Sequence, residues 1–279
     1  MGNLPQLPIW HLKCQTSNMA NNLTKSMVFI TGAFIGNNCW DEWKAYFESN
    51  GYKCIAPAWP FKDASPEDLR NRHPDLAIAS NRLADLTNYF ADVVNALPEK
   101  PIMIGHSLGG LIVQLLLQRG FGTAGVAIHS FPAEGLRGSK ISFLKAIWKA
   151  MGFFTSTQKS YMIPFKKWKR LVVNGMSREE QKQLFYKHAT PESKRIIRDT
   201  FKAAAKLDFE KKLVPLLLVS GSCDQIISAS LNFESYKKYE MSNSITELKE
   251  FKGHSHFVFG NSTWREEAEF ILQWLQRIK

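Results

Sequence analysis

Short apolar runs recur along the chain, and most are followed by a stretch whose apolar residues repeat at helical spacing. Met27-Val28-Phe29-Ile30, Pro101-Ile102-Met103-Ile104 and Leu216-Leu217-Leu218-Val219 are nearly unbroken apolar runs. A run this short without polar alternation predicts a strand buried on both faces. Gly51 to Pro57 and Gly125 to His129 predict two more strands. Ile245 to Phe251 alternates apolar and polar residues, the pattern of a strand with one wet face. Between them the spacing predicts helices over Asp41 to Asn50, Leu76 to Leu97, Leu108 to Arg119, Ala229 to Tyr239 and Trp264 to Ile278. Pro98 closes the second, since proline cannot continue a helix. Strands alternating with helices predict an α/β chain with a mostly parallel sheet covered on both faces.

The alternation stops after His129-Ser130-Phe131-Pro132. From Ala133 to Ala205 no run reads as a buried strand. The segment is helical in tone and carries Phe143, Trp148, Phe153, Phe154, Tyr161, Phe165, Trp168, Phe185 and Tyr186. We expect a core formed by 26–132 and 206–279, with 133–205 inserted as a helical cap whose aromatics partly line a pocket. Residues 1–25 are polar and Asn-rich, and read as an extension outside the core, either poorly ordered or a short hairpin.

Gly105-His106-Ser107-Leu108-Gly109 lies where a predicted strand meets a predicted helix. A serine on so tight a turn has strained backbone and presents its hydroxyl clear of the sheet. Flanking glycines remove side chains that would clash, and the helix start turns its positive dipole end toward a developing oxyanion. Asp224 follows the Leu216–Val219 strand, and His256 follows the Ile245–Phe251 strand. Chain order Ser107, Asp224, His256 matches one of the known nucleophile–acid–base orders. Rivals exist. His254 shares the turn with His256. Glu134 follows the Gly125–His129 strand, and Asp208 precedes the Leu216 strand, which places it poorly. His106 belongs to the turn itself. His11, His73, His129 and His188 have no motif around them and read as surface or structural.

Together these segments resemble the serine hydrolases of the α/β-hydrolase fold, in particular small bacterial members with a helical cap and unassigned substrates. The resemblance covers most of the chain from Met27 onward. It implies that Ser107 is the nucleophile, His256 the base and Asp224 the acid that orients it. The family's Gly-x-x-His-Phe register falls on Gly253, His256 and Phe257. The turn Thr31-Gly32-Ala33-Phe34 resembles the family's oxyanion turn, with Thr31 where histidine is common. The resemblance implies that the N–H of Leu108 and that of either Ala33 or Phe34 form the oxyanion hole. It points to an ester or related acyl substrate. Carbon–carbon hydrolysis, hydroxynitrile-lyase-like chemistry, perhydrolysis, or ligand binding without turnover on the same scaffold are the alternatives.

The 279 residues, 44% of them hydrophobic, suit one domain with an insertion. The formal charge is +11, and it is local: Arg137 to Lys206 holds 17 Lys or Arg against 4 Asp or Glu. Lys166-Lys167-Trp168-Lys169-Arg170 is its densest run. Solvated outer faces, attraction of an anionic substrate or membrane surface, and nucleic-acid binding account for it in decreasing order. The expected partner is a small hydrophobic molecule that can carry negative charge. No His-x-x-x-His, Cys-x-x-Cys or phosphate-binding Gly-rich motif occurs, so neither metal nor cofactor is expected. Cys14, Cys39, Cys54 and Cys223 have no paired spacing and read as free thiols. Without a signal sequence, a myristoylation motif or a membrane-length apolar run, a cytoplasmic location is expected.

Overall fold

The computed structural model describes residues 24–136, 141–152, 155–240, 244–260 and 262–278. Of the N-terminal extension, only Thr24 and Lys25 fall within them; Phe153 and Phe154 lie outside.

Among the described residues, six parallel strands form one sheet in the order β2-β1-β3-β4-β5-β6. They are β1 Ser26–Ile30, β2 Lys53–Ile55, β3 Ile102–His106, β4 Ala124–Ile128, β5 Leu216–Gly221 and β6 Thr246–Phe251. Every residue of β1, β3, β4 and β5 is buried, whereas the edge strands β2 and β6 are mostly half-exposed or exposed. That division explains the pattern. Central strands are covered on both faces and need apolar residues throughout, while an edge strand keeps a wet side.

The first half of the chain adds α1 Asp41–Ser49, α2 Pro66–Asn71, α3 Leu76–Ser80, α4 Leu83–Asn95 and α5 Leu108–Gln118. The segment between β4 and β5 carries α6 Ile141–Met151, α7 Phe165–Leu171, α8 Arg178–His188 and α9 Lys194–Asp199. The chain finishes with α10 Ala229–Tyr239 and α11 Trp264–Arg277. Helix α5 is buried from Leu108 to Leu117 and packs on β3, β4, β1 and α4, so its sequence is apolar all round. Among the described residues no helix is long and apolar enough to cross a membrane.

The periodicity predicts one helix from Leu76 to Leu97, but the chain breaks at Asn81 and Arg82. Both adopt extended ψ angles of 136° and 156°. The cause is distant in sequence. Ser193 Oγ donates to the carbonyl of Asn81 at 2.8 Å, and Asn81 Nδ2 donates to the Pro60 carbonyl at 3.0 Å. Arg82 donates twice to Asp199, at 2.6 and 2.7 Å, and the same carboxylate accepts the Leu83 N–H at the start of α4. A side-chain oxygen at that place satisfies a helix-terminal N–H that has no intrahelical partner.

Candidate active site

In an open parallel sheet the loops beyond the carboxyl ends of the strands form the ligand crevice. Here those loops carry Ser107 after β3, His129 after β4, Asp224 after β5 and His256 after β6.

Ser107 has φ 55° and ψ −116°, a conformation costly for any residue but glycine. The surroundings impose it. Ser107 N–H donates to the Ile128 carbonyl at 2.9 Å, and its own carbonyl accepts from Phe131 N–H at 2.9 Å. A Cβ at Gly105 would run into the backbone of Gly109, and one at Gly109 into the carbonyl of Ile30. The reversal from β3 into α5 is therefore tight enough to need both glycines. Gly32 makes a third close approach: a Cβ there would lie 2.9 Å from the Ser107 Cβ.

His256 Nδ1 donates to Asp224 Oδ2 at 2.7 Å, which leaves Nε2 to accept the Ser107 hydroxyl proton at 3.1 Å. All three side chains are buried. The loop bearing His256 is tied to the loop bearing Asp224 by Cys223 N–H donating to the His254 carbonyl at 2.9 Å. Trp43 Nε1 holds it from behind through the Val258 carbonyl at 3.0 Å. Asp224 Oδ1 accepts the N–H groups of Ile226 and Ile227 at 2.7 and 2.8 Å. Burial alone would raise the Asp224 carboxyl; the facing His256 and His129 outweigh it and hold it well below the usual carboxylate range.

The rivals lie elsewhere. His254 faces α11, with Nδ1 2.6 Å from Glu267 and Nε2 3.2 Å from Glu266. Glu134 and Asp208 are exposed. His106 Nε2 donates to the His256 carbonyl at 2.8 Å, and burial pushes its pKa well down, so this ring is a neutral support beneath His256.

His129 has no sequence motif, yet it is fully buried with Nδ1 3.3 Å from Asp224 Oδ2 and Nε2 3.8 Å from Glu267 Oε1. Asp224 thus faces two imidazoles. The one signal available was position: His129 ends β4 as Ser107 ends β3. Ring nitrogens of His106, His129 and His256 lie within 4.8 Å of one another, as a metal trio would require. Both His256 nitrogens are already engaged by Ser107 and Asp224, so a metal would have to displace those bonds.

In the Thr31–Phe34 turn, Thr31 Oγ1 accepts the indole N–H of Trp40 at 3.1 Å, which is what threonine contributes there. Phe34, at φ 68°, donates its N–H to Glu192 Oε2 at 3.4 Å. No acceptor engages the N–H of Ala33 or Leu108 among the described residues. Glu192 is buried with Lys62, 2.8 Å away, and Thr190 N–H donates to the Phe34 carbonyl at 2.9 Å. The segment between β4 and β5 therefore holds the turn in place.

A slot of about 60 Å³ opens beside Ser107 and His256, lined by Ala33, Phe34 and Phe131 and by Tyr161 and Trp168 from the inserted segment. Of the other aromatics noted in that segment, Phe143 packs on Phe131 and Phe165 on Phe185, at ring distances of 5.0 and 5.3 Å. Trp148 and Tyr186 are more than half exposed.

A family model described as the alpha/beta hydrolase family matches residues 27–269, and the chain belongs to that family. No curated protein matches the sequence. Solved structures do share its fold. A tomato methylketone synthase I variant complexed with beta-ketoheptanoate is 15% identical, with a TM-score of 0.65 over 92% of this chain and 100% of that one. Monoacylglycerol lipase of Paleococcus ferrophilus is 19% identical, with a TM-score of 0.63 over 91% and 95%. A pyrethroid hydrolase from Sphingobium faniae is 16% identical, with a TM-score of 0.63 over 89% and 96%.

Proposed function

We propose that the protein is a serine hydrolase that cleaves an ester or related acyl bond through an acyl-enzyme. The observation that carries this reading is the unbroken hydrogen-bonded line from Asp224 through His256 to Ser107 at the head of α5. Ser107 Oγ attacks the acyl carbonyl while His256 Nε2 takes its proton. Asp224 keeps the proton of the neutral imidazole on Nδ1 and stabilises the imidazolium as it forms. The oxyanion is received by the N–H groups of Leu108 and Ala33, because the Phe34 N–H is already given to Glu192. His256 returns its proton to the leaving group, then activates water to release the acyl group. Helices α6 to α9, within 133–205, form a cap that keeps water from the slot. The slot's apolar lining suits a hydrophobic substrate, in keeping with a lipase and a pyrethroid hydrolase among the structures that share the fold. Free thiols at Cys39, Cys54 and Cys223 suit a reducing, cytoplasmic setting.

The test is a graded series of p-nitrophenyl esters from acetate to decanoate, together with labelling by a fluorophosphonate. Ser107→Ala is expected to abolish labelling and to lower turnover by at least about a thousandfold. A slot of about 60 Å³ favours the short end of the series. Labelling that survives the substitution would sink the assignment.

A further inference from the structure

Outside the slot, a groove of about 570 Å³ runs between α6 and α7. Its lining includes Trp148 and Leu144 together with Lys145, Lys149, Lys166, Lys167 and Arg170. Among the described residues, no Asp or Glu lines either the groove or the slot. Lys167 is the one described residue that lines both, so it stands at their boundary.

That position is unusual for a lysine. The side chain is half-buried, and no ion-pair partner meets it among the described residues. Burial, together with the positive charges of Lys149 and Arg170, brings its pKa down to about 8. A buried cation ordinarily has a counter-charge. A lysine that merely solvates a helix would extend into water. Two residues that line the slot, Tyr161 and Trp168, each carry a buried polar group, a hydroxyl and an indole N–H, without a hydrogen-bond partner among the described residues. With no acid in the lining of either cavity among the described residues, an acceptor-rich anion would supply the counter-charge that this lysine is missing.

Building on the hydrolase reading, we propose that the substrate is an ester bearing a carboxylate or phosphate, received in the α6–α7 groove and held by Lys167 while its acyl carbonyl reaches Ser107. The anion takes no part in bond making. It supplies the counter-charge that Lys167 lacks, so Lys167 determines specificity.

The kinetic test compares 4-nitrophenyl hexanoate with mono-4-nitrophenyl adipate, which differ by a terminal carboxylate. Wild type is expected to favour the adipate in kcat/KM by about tenfold or more, the range of a charge-assisted hydrogen bond. Lys167→Met should collapse that ratio toward unity, and Lys167→Arg should keep it. An unchanged ratio in a folded Lys167→Met protein overturns the proposal, as does loss of the ratio in Lys167→Arg. A binding arm needs no turnover: butyl phosphate, with butanol as control, is titrated against intrinsic tryptophan fluorescence. Binding of butyl phosphate that Lys167→Met removes, in a protein whose Ser107 cannot be labelled, would sink the hydrolase reading and leave the anion site standing. Ester turnover with no anion preference would do the reverse. Sedimentation with phosphatidylglycerol vesicles, abolished by Lys145→Glu with Lys149→Glu while adipate and hexanoate react alike, would assign the groove to a membrane surface and overturn the substrate proposal.

Discussion

At the scale of single residues, the geometry around Ser107 depends as much on absent side chains as on those present. Gly32 sits where a Cβ would lie 2.9 Å from the Ser107 Cβ and 3.0 Å from His106 Nδ1. Gly120 has φ 83° but nothing within 4 Å of an added Cβ. The two positions separate strain at the site from strain elsewhere. Gly32→Ala is expected to lower kcat/KM on p-nitrophenyl esters by on the order of a hundredfold, the effect of a small displacement of the reacting groups. Gly120→Ala should cost about 1–2 kcal/mol in urea unfolding, from the left-handed backbone alone, and leave turnover intact. Equal losses of turnover in the two variants would contradict this division. Ser107, Asp224 and His256 were legible in the sequence because each follows a strand pattern, and two of the three have diagnostic neighbours. His129 was not, because its contact with Asp224 exists only once β4 and β5 lie side by side.

At the scale of elements, the segment between β4 and β5 is bonded to the turn that follows β1. Glu192 returns from that segment to accept Lys62 at 2.8 Å, the Phe34 N–H at 3.4 Å and the Ser193 N–H at 2.9 Å. Both Lys62 and Glu192 are buried, so removing one charge strands the other. Glu192→Gln is expected to destabilise the fold by about 3 kcal/mol in urea unfolding. Lys62→Met with Glu192→Gln should recover most of that loss, since no buried charge is left unpaired and the glutamine carbonyl still accepts a backbone N–H. A double variant no more stable than the single one would show that the pair itself supplies the stability. The same segment splits the expected Leu76–Leu97 helix, through Ser193 on Asn81 and Asp199 on Arg82. Those partners lie more than a hundred residues away, so local periodicity carries no trace of the break. Periodicity reads the faces an element presents, and here it marked every strand of the sheet. Long-range caps lie beyond its reach.

At the scale of the whole molecule, a buried chain of charge joins the end of the sheet to α11. Asp224 meets His129 at 3.3 Å, His129 meets Glu267 at 3.8 Å, and Glu267 meets His254 at 2.6 Å, with Glu266 on the outer side of His254. His106 and His256 are the other titratable groups around His129, at ring distances of 6.2 and 6.0 Å. Burial lowers the His129 and His254 pKa values, but the carboxylates of Asp224 and Glu267 outweigh it, and both stand above the ordinary histidine value. A histidine with a raised folded pKa adds stability that is complete below its unfolded value, about 6.5, and is lost as pH rises through the folded value. Asp224, with a lowered pKa, does the opposite: its share is present above about 3.9 and is lost only as pH falls through its folded value. The network therefore supports the fold most strongly in mildly acidic solution, between about pH 4 and pH 6.5. His129→Asn tests this, because asparagine tolerates the φ of 47° found at that position. Wild type should lose stability in urea between about pH 6 and pH 9, and His129→Asn should lose distinctly less over the same interval. Parallel pH profiles for the two proteins would mean that His129 is neutral in the folded state.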